Sequence, residues 1–301
     1  MTEFGWILES CESIRDWEPK AIIEGKLFGA YDARQEGVST LYQNTILGWY
    51  DIAADSVLYR KELDGPVGVR VISKNTILGT TLNNQTLEAY NHDFEKLWAL
   101  DVSELGRYYD NISREYRSGE VRDVVYHEPS NTFVVSVAMG WVLGLDADTG
   151  AVRWKCAVRY YPLLTLHHAE VFGVGHHPDY QCINVDTGEM LFELALESVW
   201  KNTPASIKSH WPANIDWKFK GLVTHYITRP AITDKHLIVT DMRHQLVCLL
   251  DKYTAEIQEV LPLPGAKEII PSHFGPQVQG NRLFQLDGDH TLHIFEREDG
   301  W

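Results

Sequence analysis

LGLDADTGAVRWKC, residues 143–156, returns in altered form as INVDTGEMLFELA at 183–195. Both stretches place Asp-Thr-Gly ahead of an aromatic residue four positions beyond the glycine, Trp154 in one and Phe192 in the other. Weaker copies read WYDIAADSVLY at 49–59 and LLDKYTAEIQE at 249–259, and a shortened one reads AYNHDFEKLW at 89–98. Each copy has the pattern of a strand, a tight turn and a second strand. Asp146 and Asp148 can accept hydrogen bonds from turn amides, and Gly150 supplies the positive φ that a tight turn needs. The rings Trp154, Phe192, Tyr59 and Trp98 then fall at one fixed place on the second strand, where a large flat group fills the gap between stacked sheets.

Upstream of the copies lie further short β-rich runs. VRVIS and NTILGTTL precede residue 85, VVYHE and TFVVSVA precede 140, and HYITR and HLIVTDM precede 244. Each unit therefore has four strands, with no helical periodicity over most of the chain. Repeated four-stranded units arranged radially make a β-propeller. The expectation is an all-β fold, one β-propeller domain over 1–301. Outer hairpins at 45–63, 75–101, 131–159, 168–196 and 234–261, with a last set at 267–296, give six blades. The last set lacks a fourth strand, which the amino-terminal FGWIL (4–8) could supply to close the ring. Seven blades remain open if 197–230 hides a degenerate one.

The pattern of a small residue, x, Asp, x, x, Thr-Gly, x, x, x, Trp resembles the tryptophan-docking repeat of pyrroloquinoline-quinone-like, or quinoprotein-type, propellers. Gly144, Asp146, Thr149, Gly150 and Trp154 carry the match, and Cys182, Asn184, Thr187, Gly188 and Phe192 match in part. The resemblance implies the fold without the cofactor. Quinoprotein dehydrogenases are longer and exported, and often place adjacent cysteines beside the quinone, whereas this chain has no Cys-Cys pair. A second resemblance is to the outer-membrane assembly lipoprotein, which uses the same repeats as a docking scaffold. It implies protein binding without chemistry.

The chain has 301 residues, 44% hydrophobic and 23% charged, ordinary values for a globular protein. A net charge of −15 disfavours nucleic acid and anionic membrane as partners and favours a basic protein. The amino terminus is acidic where a secretory signal would be basic, and no apolar run is long enough to span a bilayer. The expected location is the cytoplasm. Cys11, Cys156, Cys182 and Cys248 lie far apart with no CxxC, as reduced thiols would.

Two long segments that join consecutive units, VSELGRYYDNISREYRSGE (102–120) and ESVWKNTPASIKSHWPANIDWKFKG (197–221), are expected as loop insertions on one face of the propeller. The candidate partner-binding residues are Tyr108, Tyr109, Asp110, Glu115 and Tyr116, with Trp200, His210, Trp211, Asp216 and Trp217. Tyr, Trp and Arg are the residues that anchor protein interfaces. The competing reading is that these rings pin their own loops to the rim.

LHHAEVFGVGHHPDY (166–180) holds His167, His168, His176 and His177. A strand over 168–175 would separate the two pairs by roughly 25 Å at about 3.3 Å per residue, so they do not form one site. LDGDH (286–290) lacks the further acidic ligands of a calcium loop and reads as a turn. No GxSxG, Walker loop, HExxH or dinucleotide fingerprint occurs. The expectation is a non-catalytic protein-binding propeller with no cofactor or metal, monomeric outside its complex. Its most concrete form is an inhibitor or immunity protein that neutralises a basic partner such as a toxin nuclease. The alternative is a lyase, hydrolase or oxidoreductase using a metal or cofactor over the central channel.

Overall fold

The computed structural model describes residues 18–32, 44–65, 67–81, 83–105, 107–110, 114–138, 140–158, 162–175, 179–195, 229–241, 245–265 and 275–301. Every regular element among them is a β-strand. Sheet one contains β1 (Glu18–Ile23), β2 (Lys26–Asp32), β3 (Thr45–Asp51) and β4 (Ser56–Glu62). Sheet two contains β5 (Val67–Ile72), β6 (Ile77–Thr81), β7 (Thr86–Tyr90) and β8 (Lys96–Asp101). A separate hairpin follows, β9 (Tyr108–Asp110) with β10 (Glu115–Arg117). Sheet three contains β11 (Val121–His127), β12 (Thr132–Val137), β13 (Trp141–Asp146) and β14 (Val152–Ala157). Sheet four contains β15 (Pro162–His167), β16 (Glu170–Gly175), β17 (Asp179–Asn184) and β18 (Met190–Ala195). Sheet five contains β19 (Ala231–Ile232), β20 (His236–Asp241), β21 (Leu246–Asp251) and β22 (Ile257–Pro262). Sheet six has three strands, β23 (Gln277–Gln279), β24 (Arg282–Leu286) and β25 (Leu292–Glu296).

All six sheets pair antiparallel in sequence order, as meanders do. In sheet five the described part of the opening strand is β19, at Ala231–Ile232, and residues 225–228 of the run HYITR lie outside the described residues. The segments 1–17 and 196–228, which hold FGWIL and the region of a seventh unit, lie outside the described residues.

The chain groups into two compact units, 1–121 with 146–151, and 122–145 with 152–301. In the first, sheets one and two share a core of Phe28, Leu47, Trp49, Val67, Ile77, Tyr90 and Phe94. In the second, alternation along the strands sends neighbouring residues into different cores. Leu164, Val171 and Ile183 of sheet four pack with Val134, Val142 and Trp154 of sheet three. Phe172, Val174, Tyr180 and Cys182 on the other face pack with Leu237, Val239, Cys248 and Leu250 of sheet five. Ile238, Val247 and Leu249 then face Leu283 of sheet six. The inner strands are accordingly apolar on both faces, and β12 is buried at all six positions. Side-chain hydrogen bonds tie the sheets of this unit together. The Thr165 hydroxyl donates to the Pro230 carbonyl at 2.8 Å, and that of Thr240 to Gln285 Oε1 at 2.7 Å.

The recurring turn is built the same way each time. Its first residue, Asp51, Asn91, Asp146, Asn184 or Asp251, accepts from backbone amides two to four residues on. A left-handed residue ends it: Asp55, Phe94, Gly150, Gly188 or Ala255. A register shift beside the turn, between Gly144 and Leu145 in sheet three, sets the ring position directly opposite a given residue of the third strand. The opposed pairs are Trp49 with Tyr59, Ala89 with Trp98, Gly144 with Trp154, Cys182 with Phe192, and Leu249 with Glu259. The small residue of the motif is thereby explained, because a Cβ on Gly144 would lie 2.1 Å from the Trp154 ring.

Each ring reaches the recurring turn that follows it in the chain. Tyr59 stacks on Phe94 at 5.4 Å, and Trp98 donates from Nε1 to the Ala147 carbonyl at 3.1 Å. Trp154 donates to the Val185 carbonyl at 2.6 Å, and Phe192 meets Tyr253 edge-on at 6.2 Å. A Cβ added to Gly150 would come within 2.6 Å of Trp98, and one on Gly188 within 2.6 Å of Trp154. Glycine in the motif therefore serves twice, for its positive φ and for the ring seated on it. At the fifth position Glu259 replaces the ring and pairs with Arg297.

Two expectations follow. Gly188→Ala should lose at least about 2 kcal/mol, backbone strain plus displacement of the Trp154 ring. Gly265 has φ +81 with nothing within 4 Å, so Gly265→Ala should lose only the strain, about 1–2 kcal/mol. Urea midpoints measure both, and equal losses would show that the seated ring adds nothing. For the second, burial alone would raise the Asp251 carboxyl, but the Thr254 and Tyr253 amides and the Thr254 hydroxyl outweigh it and hold it below its ordinary value. A depressed carboxylate stabilises the fold above its unfolded value, about 3.9, and that contribution is lost as pH falls through the folded one. Asn serves the same turn at 91 and 184, so Asp251→Asn should fold at neutral pH yet lose less stability than wild type below about pH 4. Parallel acid curves for the two proteins would contradict this.

Candidate functional site

The segment 102–120 is not irregular, as its sequence suggests, but carries the β9–β10 hairpin. Tyr109 lies directly opposite Tyr116, Tyr108 opposite Arg117, and Asp110 opposite Glu115. Facing tyrosines are a favourable cross-strand pair, and their rings meet edge-on at 5.3 Å. The signal available in the sequence was aromatic residues in matched positions on either side of Asp-Asn-Ile-Ser, without the Gly that usually marks a hairpin.

The base of the insertion is fixed. Val102 is fully buried, the Ser103 amide donates to Asp101 Oδ1 at 2.8 Å, and the Gly119 amide donates to the Ser103 carbonyl at 2.7 Å. The Val121 amide closes the segment on the Asn84 carbonyl at 2.7 Å. Above this base the rings turn outward. Tyr116 is 68% exposed and Tyr109 46%, and the Arg107 guanidinium lies 5.1 Å from the Tyr116 ring centre. The pair thus stacks on itself and on an arginine, with most of the Tyr116 surface facing solvent. Glu115 is exposed, and residues 107–117 carry Arg107, Arg114 and Arg117 against Asp110 and Glu115. The excess of acid in the chain is therefore not concentrated here.

Trp200, His210, Trp211, Asp216 and Trp217 lie outside the described residues, as do His176 and His177. The first unit also has a cleft of ≈ 250 Å³ lined by Ile23, Glu24, Lys26, Trp49, Tyr59 and His92 among others. Its rings were legible only as packing groups. LDGDH is a turn between β24 and β25, in which Asp287 accepts from the Asp289 and Thr291 amides and from His293. Cys156, Cys182 and Cys248 are unpaired by disulfides and buried, and burial raises all three thiols, that of Cys182 to about 12. They are packing groups held protonated. No helix among the described residues is long and apolar enough to cross a membrane.

No family model and no curated protein matches the chain. Among solved structures it is similar to the computationally designed Ika8 protein, at 13% identity and a TM-score of 0.58, over 92% of this chain and 70% of that one. It is similar also to BamB from Moraxella catarrhalis, at 16% identity and a TM-score of 0.55, over 95% of this chain and 83% of that one. BamB is a propeller of quinoprotein-type repeats, and at such identities the likeness is one of fold. The chain has a β-propeller-type fold.

The exposure of the hairpin rings generates an expectation. Tyr116→Ala should change stability by no more than about 0.5 kcal/mol, since a largely solvated ring contributes little burial. A larger loss in urea denaturation would mean that the ring anchors its own loop.

Proposed function

We propose that the chain is a non-catalytic, cytosolic protein-binding propeller whose binding surface includes the 107–117 hairpin. The observation that carries the reading is the Tyr109–Tyr116 pair, held outward on a base fixed by Asp101, Ser103 and Asn84. Rigid aromatic groups of this kind supply contact area at small entropic cost, and an adjacent arginine adds a directional polar contact. The six sheets are read as six blades.

The partner is a basic protein. A charge of −15 steers such a partner into encounter, while the tyrosines hold it once docked. The concrete form is an inhibitor or immunity protein that caps the nucleic-acid-binding face of a toxin nuclease. A pull-down with the tagged protein from its native cytosol at low salt tests the reading. It should recover one basic protein stoichiometrically, and the Tyr109→Ala/Tyr116→Ala double variant should bind it at least about tenfold more weakly, equivalent to about 1.4 kcal/mol. Undiminished capture by the double variant would place the interface elsewhere.

A further inference from the structure

We propose that His167, His168 and Asp234 form a binding site for a divalent transition cation of the zinc class, with one coordination position left for an external ligand. The two histidines stand where β15 turns into β16, and Asp234 stands in the turn between β19 and β20. All three belong to the second compact unit. Their ligand atoms lie within 4.8 Å of one another. His167 Nε2 is 3.2 Å from Asp234 Oδ1, and His168 Nε2 is 3.4 Å from the same oxygen. Tetrahedral zinc with bonds of about 2.0–2.2 Å holds adjacent ligand atoms about 3.3–3.6 Å apart, so these separations need little adjustment.

Adjacent strand residues ordinarily point to opposite faces of a sheet. Here the rings meet at 4.2 Å between centres, because His168 has φ +53, in the left-handed region that residues with a Cβ rarely adopt. The opposing turn is fixed as well. The Thr233 hydroxyl accepts from the His236 amide at 3.0 Å, and the Thr233 amide donates to the His236 carbonyl at 2.9 Å. The Thr165–Pro230 hydrogen bond, two residues before His167, holds the two sheets in register.

The chemistry of the three groups suits a borderline cation. His167 is mostly buried, with its side chain 13% exposed, while His168 and Asp234 are 78% and 83% exposed. The buried Nδ1 of His167 has no hydrogen-bond partner among the described residues, while its Nε2 faces the Asp234 carboxylate. The Lys252 ammonium stands near His167. Lys252 lies 3.9 Å from Glu170, which offsets its repulsion of a cation. Two imidazoles and one carboxylate select Zn²⁺, Ni²⁺ or Cu²⁺ over Mg²⁺ and Ca²⁺, which prefer all-oxygen cages. The inference is independent of the protein-binding reading.

Calorimetric titration of the purified full chain with Zn²⁺ near neutral pH tests it, with Mg²⁺ as the hard-cation control. The expected result is a saturable Zn²⁺ site that Mg²⁺ does not occupy. His168→Gln and Asp234→Asn should each weaken it by at least about tenfold. A His176→Gln/His177→Gln variant should retain it, which separates this site from the chain's other histidine pair. Both ligand positions are exposed, so metal-free melting curves of the variants should overlay that of wild type. No Zn²⁺ binding by wild type, or affinity unchanged in both ligand variants, would overturn the assignment.

Discussion

The structure depends on a ring seated on the turn that comes next in the chain. Trp154 lies across Gly144 of its own sheet and on Gly188 of the following one, donating its indole N–H to the Val185 carbonyl. Three requirements converge at that ring. The strand opposite must be stripped to its backbone, the turn ahead must end without a Cβ, and a carbonyl there must be free to accept. Sheets that stack face to face need such fillers because their pleated surfaces leave gaps that aliphatic groups alone do not close. The same ring-to-turn connection recurs with different chemistry, as Tyr59 on Phe94, Trp98 on Gly150 and Phe192 on Tyr253. What the fold preserves is the place of the contact, and the residues vary around it.

That distinction explains which parts of the structure were legible in the sequence. Asp-Thr-Gly followed by Trp154 announces its turn because Gly and Asp have few other reasons to recur at that spacing. The copies at 49–59 and 249–259 keep the same turn with Asp55 and Ala255 in the left-handed position, a substitution that composition alone disguises. Four-stranded units were likewise readable from alternation, as sheets one to four bear out.

The candidate surfaces were less accessible, for physical reasons. Tyr109 and Tyr116 were visible as interface-type residues, but their pairing rests on a hairpin register that no glycine advertised. The grouping brings His168 to Asp234 across 66 residues and depends on a left-handed backbone at His168. Strand periodicity places adjacent histidines on opposite faces, and only the turn geometry brings them together. Sites assembled from turns of separate sheets escape any reading that treats one segment at a time.

The forward direction of the ring contact also bears on how the protein is made. Trp98 finds its acceptor 49 residues later and Trp154 finds its own 31 residues later. During synthesis from the amino terminus, each sheet can complete its own hydrogen-bonded ladder while its ring still faces water. The seat for that ring is supplied only when the following turn emerges, so each segment acts as the cap for the one before it. Assembly in this order is vectorial, and the ring exposed at any moment belongs to the newest finished sheet. What the growing chain leaves exposed is the outer face of its newest sheet, the ring included, until the next sheet covers it.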